Sequence, residues 1–260
     1  VAKTGEGVND VLALMDAECS IAMASGADAA AHAAQLVLLD SDFAKMPAVV
    51  KEGRRVVNNL ERSGSLFIVK NIFSFLAAVL VLLLGFRYPL LPAQVSMVTM
   101  WIIGAPSFFL SQMPNTDLIK GQFMTNILRK AIPGGLTNVI LIIGAYIIFM
   151  MVGVEETKAF TACTIVFAVS GLIYLFKICR PFDWYRKLVW SGCVIGLLDC
   201  FTVLRWYCAL ADEMPLEVVL TSIGIGLLAY PLLGLLDKFT LWIYQNEKLK
   251  RLVFWRGDNN

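Results

Sequence analysis

The sequence predicts an α-helical polytopic membrane domain of six transmembrane helices, preceded by part of an α/β domain. Three observations predict it. Of the 260 residues, 58% are hydrophobic and only 16% charged, with a mean hydropathy of +0.71. A water-facing surface needs more polar side chain than that, whereas a lipid-facing one does not. Six stretches are also apolar enough and long enough to cross the hydrocarbon layer, roughly 30 Å thick, which takes about 20 helical residues. Before them, the chain alternates short strand-like and helix-like segments, the pattern of a parallel sheet.

Positions 1–4 read as the end of a strand, Gly5-Glu6-Gly7 as a tight turn, and 8–16 as a short helix. Positions 19–24 read as a buried strand, Ser25-Gly26 as a second turn, 28–33 as one or two helical turns, and 35–39 as the next strand. Three strands are too few to bury both faces of a parallel sheet, so this segment is expected to belong to a larger domain that begins upstream.

From about residue 43 the pattern turns helical, and nothing interrupts it before the membrane. Met46, Val49, Val50, Val56, Val57 and Leu60 recur at helical spacing, while Lys51, Glu52, Arg54, Arg55, Glu61 and Arg62 supply the polar side. Pro47 falls in the first turns, where its missing donor is tolerated. Residues 43–62 therefore read as a helical stalk. With the first span it forms a rod of more than about 60 Å at 1.5 Å per residue. A rod of that kind transmits movement, which a flexible linker does not.

The spans are expected at about 63–86, 91–112, 131–154, 159–177, 187–206 and 217–237. Lipid offers an open backbone no hydrogen-bond partner, so each must be helical. Lys and Arg gather on alternate connections. Lys45, Lys51, Arg54, Arg55 and Arg62 precede the first span, and Lys120, Arg129 and Lys130 lie between the second and third. Lys177, Arg180, Arg186 and Lys187 lie between the fourth and fifth, and Lys238, Lys248, Lys250, Arg251 and Arg256 follow the sixth. The positive-inside rule puts these connections, and both ends of the chain, in the cytoplasm. The expected location is an integral, multi-pass protein of the plasma membrane.

Polar side chains inside lipid are costly and mark function. Asn71 and Ser74 in the first span are three apart and share a face, as do Ser96 and Thr99 in the second. Lys70 acts either as an internal positive charge or snorkels to the interface. Asp199 in the fifth span is expected to pair with another helix. Gly104-Ala105-Pro106 lies inside the second span, and proline there predicts a bend or an unwound turn. The six cysteines form no CxxC pair and read as buried free thiols.

Thr4-Gly5-Glu6-Gly7-Val8-Asn9-Asp10 places two glycines, two carboxylates and an amide beyond the carboxyl end of a strand, where open α/β sheets bind ligands. Glu6 and Asp10 are close enough across the turn to act on one site. Such hard oxygen ligands suit Mg²⁺, which is commonly held by one or two carboxylates, a phosphate and waters. Asn9 is placed to orient a phosphoryl oxygen. The bland alternative is an acidic turn without a ligand.

These seven residues, with Ala13-Leu14 after them, closely resemble the hinge motif that closes the phosphorylation domain of P-type ATPases, a haloacid-dehalogenase-like fold. The resemblance continues through Ser20-Ile21-Ala22-Met23, Ala24-Ser25-Gly26, Asp28-Ala29-Ala30, Val37-Leu38-Leu39-Asp40 and Asp42-Phe43. Glu52-Gly53-Arg54-Arg55 with Asn58-Asn59 is similar to the family's entry into its fifth membrane helix. The match is strong over residues 1 to about 110, and beyond them it rests on span count and loop sides. It implies that 1–42 is the C-terminal part of the phosphorylation domain, and that 63–260 holds the last six helices and a cytosolic tail of an ATP-driven cation pump.

The resemblance further implies a magnesium site at Glu6 and Asp10 and catalytic roles for Asn9 and Asp10. It puts ion ligands at Asn71, Ser74, Thr99, Ile102 and Ile103, and Ser96 joins that ion pathway by sharing a face with Thr99. Calcium and sodium–potassium pumps place carboxylates among these positions, where this chain has Ser74, Ile102 and Ile103. Glu6 stands where the family has Asp, and Leu12 and Met15 stand where it usually has Pro and Lys. The implied partners are the nucleotide-binding and actuator domains and the first four membrane helices of the same pump, the lipid bilayer and a transported cation, with no nucleic acid. ATP is then a substrate of the complete protein, and these 260 residues alone are not expected to hydrolyse it. The alternative is a degenerate or truncated membrane protein without transport of its own.

Overall fold

The computed structural model describes residues 2–246. Lys248, Lys250, Arg251 and Arg256 of the expected tail lie outside the described residues. Contacts divide the chain into two compact units, residues 1–54 and 55–260.

The first unit is built on three parallel strands in the order β1 (Ala2–Gly5), β2 (Cys19–Met23) and β3 (Leu36–Leu38). A 3₁₀ turn at Val8–Asp10 and helix α1 (Val11–Met15) join the first two strands, and α2 (Asp28–Ala33) joins the last two. Parallel neighbours require crossovers of this kind. Gly5 pairs with Ala22, and Ala22 with Val37, so the central strand is bonded on both sides and buried from Ser20 to Met23. Ile21, Met23 and Leu38 form a small core, with Leu36, Met46 and Val49 packed on it. Leu12, Met15 and Leu39 remain 80%, 70% and 84% exposed, as expected of a sheet with so few strands and no second covering layer.

A 3₁₀ turn at Phe43–Lys45 follows, capped by Asp42 Oδ1 accepting from Ala44 N–H at 2.9 Å. It leads into α3 (Met46–Leu84), 39 residues without an interruption. Leu66, Val69, Phe73 and Ala77 form its buried stripe at steps of three and four. Phe75, Leu82 and Leu83 face outward on a surface that only lipid or further protein would cover.

The second span comprises α4 (Pro92–Thr99), a π-helical stretch at Met100–Gly104, and α5 (Ala105–Ser111). The disturbance expected at Gly104-Ala105-Pro106 is thus a widened turn that starts one turn earlier. Then come α6 (Phe123–Met151), α7 (Glu156–Ile178), α8 (Trp184–Thr202), α9 (Leu216–Leu227) and α10 (Ala229–Gln245). Helix α6 begins well before the expected 131, because Arg129 and Lys130 lie on a helical turn rather than in a loop. The break at Leu228 falls where Pro231 leaves the carbonyl of Leu227 without its usual donor.

Five helical stretches among the described residues are long and apolar enough to cross a membrane: Phe43–Leu84, Pro92–Ser111, Phe123–Met151, Glu156–Ile178 and Leu216–Gln245. The expected fifth span, 187–206, is not among them. Helix α8 has only 19 residues and carries Arg186 and Lys187 at one end and Asp199 near the other, so its charge is too dense for the length. Asp199 is exposed and, contrary to expectation, its carboxylate pairs with no other helix among the described residues.

Helices α6 and α7 are the centre of the bundle, with 61% and 67% of their most apolar windows buried, against 22% for the first and last spans. Glycine makes the close approaches possible. A Cβ at Gly134 would lie 2.7 Å from the Tyr174 ring, and one at Gly135 2.5 Å from Ile72 of α3. Phe73 stacks on Phe167 with centroids 5.1 Å apart. Consecutive asparagines of α3 bind the irregular segment after α5. Asn59 Nδ2 donates to the carbonyls of Ser111 (2.8 Å) and Met113 (3.0 Å), and Asn58 Nδ2 to those of Asn115 (3.2 Å) and Asp117 (2.9 Å). All six cysteines are free, and five are buried.

Candidate functional site

The loop after β1 is ordered by its own carboxylate. Asp10 Oδ2 accepts from the backbone N–H of Glu6 at 3.1 Å and of Gly7 at 3.0 Å. Glycine is required where the chain doubles back, since a Cβ at Gly5 would lie 2.6 Å from Asp10 Cβ. The following β2–α2 turn closes on the same loop. Ala27 N–H donates to Glu6 O at 2.7 Å, and a Cβ at Gly26 would lie 2.6 Å from that carbonyl oxygen. The Glu6 carboxylate and the Asn9 amide are exposed, with no partner among the described residues. One oxygen of Asp10 is therefore committed to the backbone, and its other oxygen and the Glu6 carboxylate remain available as ligands. Among the described residues, no group of three or more His, Cys, Asp or Glu gathers to hold a metal. Two carboxylates of this kind fit the hard oxygen ligands that a hydrated Mg²⁺ takes.

Hydrogen bonds from the Gly7 and Glu6 amides hold the Asp10 carboxyl below its ordinary range. The charged form is therefore favoured in the folded loop. The stabilisation is present above the ordinary carboxylate pKa and is lost as pH falls through the lowered one. Amide exchange at Glu6 and Gly7, corrected for intrinsic rates, is expected to lose protection as pH drops below about 4. Protection unchanged from pH 7 to the acid limit of folding would mean that Asp10 does not hold the loop.

The four polar positions expected along an ion pathway do not line one common cavity among the described residues. Asn71 and Ser96 are exposed on α3 and α4, and Ser74 is half-buried. Thr99 Oγ1 turns back to the carbonyls of Val95 (2.8 Å) and Ser96 (3.2 Å). Of the four, Thr99 alone lines the cavity of about 20 Å³ where α3, the π-helical stretch, α6 and α7 meet. Lys70 and Asn138 line it too, as do Ile102 and Ile103. It has room for about one water.

Two polar residues here were not singled out from the sequence. Asn138 is buried on α6, and its Oδ1 accepts from Ser170 Oγ of α7 at 2.7 Å. Both stand in charge-free apolar runs, and the rule that polar groups inside spans are costly would have found them. In α5, Ser107 Oγ is buried without a hydrogen-bond partner among the described residues. The π-helical stretch aims its bulky side chains at glycines of two other helices. Ile102 fills the space over Gly171, where a Cβ would lie 2.2 Å from Ile102 Cδ1, and the Trp101 ring lies 2.5 Å from a Cβ built on Gly196. Trp101 Nε1 also donates to Cys200 Sγ at 3.3 Å. Widened turns of this sort recur at functional sites in helices.

A bundle with several membrane-long helices, one of them broken by a π turn, defines an integral, multi-pass membrane protein. No family model matches the chain. It is similar to the calcium-transporting ATPase CtpE of Mycolicibacterium smegmatis, with 36% identity over 251 residues, which is 91% of this chain and 32% of that protein. CtpE of Mycobacterium tuberculosis is 38% identical over 200 residues, covering 72% of the chain and 25% of its own length. A probable cation-transporting ATPase, exp7 of Streptococcus pneumoniae serotype 4, is 34% identical over 245 residues, covering 90% and 31%. The chain thus spans a quarter to a third of the length of these curated relatives. It belongs to the P-type cation-transporting ATPases.

Proposed function

We propose that this chain supplies the magnesium-binding hinge of the phosphorylation domain and the later membrane helices of an ATP-driven cation pump. The observation that carries the reading is the Glu6–Asp10 loop. It presents two carboxylates and an amide beyond a strand end, shaped by glycines that leave no room for a side chain. Glu6 and the free oxygen of Asp10 hold Mg²⁺, and Asn9 orients the phosphoryl group. When bound, the metal neutralises charge on the phosphoryl oxygens. Asp10 has a second task, which is to fix the backbone that carries Glu6.

In this reading the carboxylate that accepts the phosphoryl group, the nucleotide site and the first four helices belong to the rest of the protein. The 260 residues alone do not hydrolyse ATP. Residues 1–42 close the phosphorylation domain and 43–62 are the stalk. Residues 63–260 form a six-helix membrane domain and tail, with α8 as its short crossing. The Lys- and Arg-rich connections face the cytoplasm of a plasma membrane, as do both ends of this chain.

The ion pathway uses Asn71, Ser74, Ser96 and Thr99, to which Asn138 adds a buried amide oxygen. Calcium is the first cargo to test, because two of the relatives named above are calcium-transporting ATPases. These five side chains include no carboxylate, and Ca²⁺ takes six to eight oxygens, commonly some of them from carboxylates. The remaining ligands therefore come from backbone carbonyls and from the other helices of the protein.

The test is the full-length protein in sealed vesicles. It is expected to form an acid-stable phosphoenzyme from Mg-ATP and to accumulate a radioactive cation, calcium first, only when ATP is present. Neither phosphoenzyme nor ATP-dependent accumulation of any cation tried would leave the non-transporting alternative standing.

A further inference from the structure

Where α3, α6, α7 and α10 converge, a cavity of about 470 Å³ opens between the helices, and its walls are strongly basic. Arg62, Arg129, Lys130, Lys177 and Arg180 line it, and Asp237 is the one carboxylate among the lining residues. Asp237 is engaged by Lys177, and Lys130 pairs with Glu61 at 2.5 Å. Arg62, Arg129 and Arg180 have no carboxylate partner among the described residues. Arg129 and Arg180 instead lie against the rings of Tyr244 and Phe176, at 5.7 and 5.2 Å from their centroids. Arg62 is the most telling, because its Nη1 is buried and has no hydrogen-bond partner among the described residues. A guanidinium nitrogen withdrawn from water without an acceptor is costly unless an anion completes it.

We propose that this cavity binds a phosphate ester. Arg62 donates from the floor, and Arg129 and Arg180 neutralise the charge from the walls. Arginine suits the task because its planar fork matches phosphate oxygens. Basic pockets between membrane helices at the headgroup level are recognised sites for anionic lipid heads, and Ile178 and Leu241 give this one an apolar border. The same chemistry would accept a soluble phosphate. The proposal does not depend on the acidic loop or on the direction of transport.

The test is native mass spectrometry of the full-length protein in neutral detergent. It is offered dioctanoyl phosphatidic acid, dioctanoyl phosphatidylcholine or inorganic phosphate. The wild type is expected to retain phosphatidic acid over phosphatidylcholine. Arg62→Gln, Arg129→Gln and Arg180→Gln are each expected to weaken that retention about fivefold. Arg205→Gln, beyond the opposite end of α8, should leave it unchanged. Retention of phosphatidic acid without inorganic phosphate assigns the site to a lipid head, whereas equal retention of inorganic phosphate assigns it to a soluble anion. Should Arg62→Gln not fold, the exposed Arg180→Gln decides the matter. Equal retention of both lipids with no phosphate bound, or unchanged retention in Arg180→Gln and Arg129→Gln, overturns the proposal.

Discussion

Gly196→Val is expected to melt well below the wild type, while Gly192→Val, one turn earlier on the same helix, stays close to it. The two sites differ only in what stands over them. A Cβ at Gly192 meets nothing within 4 Å, whereas one at Gly196 falls 2.5 Å from three atoms of the Trp101 ring. A rigid bicycle cannot bend aside as the end of a leucine does, and its Nε1–Cys200 bond holds it in place. Overpacking of this kind costs roughly 1–3 kcal/mol. For a chain of this size that corresponds to a drop of about 2–4 °C per kcal/mol. Tryptophan fluorescence during heating in detergent would record it. Equal melting of the two variants would show that the contact between α8 and the π-helical stretch carries little of the stability.

The larger functional effect is expected at Asp10, and two substitutions separate its two tasks. Asn in its place keeps an oxygen that accepts from the Glu6 and Gly7 amides, so the loop should persist while the ligand charge is lost. Ala removes both. Even outer partners of a metal commonly cost 10–100-fold when replaced, so Asp10→Asn in the full-length protein should lower phosphoenzyme turnover by more than about 100-fold. Amide protection at Glu6 and Gly7 should survive in Asp10→Asn and vanish in Asp10→Ala. Near-normal turnover in Asp10→Asn would leave Asp10 a loop-closing residue and nothing more.

How much of this was legible in the sequence follows from how far apart the interacting residues lie. The order of strands and crossovers could be read because the turns after β1 and β2 announce themselves with Gly5, Gly7 and Gly26. The turn that carries Glu6 and Asp10 stood out for the same reason, since Asp10 and the two amides it fixes lie within one short stretch. A disturbance near Gly104 followed from Pro106 alone. Its form did not, because Trp101 and Ile102 are accommodated by Gly196 and Gly171, far downstream. Helix α8 was counted as a span of ordinary length because Arg186 and Lys187 were assigned to the connection before it and Asp199 to a pairing with another helix. Pairing residues by helical face located Thr99 but not its cavity neighbour Asn138, since a face states which side chains share a direction and not which helix they meet.

The four hydrogen bonds from Asn58 and Asn59 have a mechanical consequence. A slide of α3 by one turn, about 5.4 Å, would sever them all. A displacement of a few tenths of an ångström keeps them within hydrogen-bond reach and draws the foot of α5 along. Pull on either strand of this tether is felt by the other, and the widened turn above Ser111 is the first slack available to absorb it.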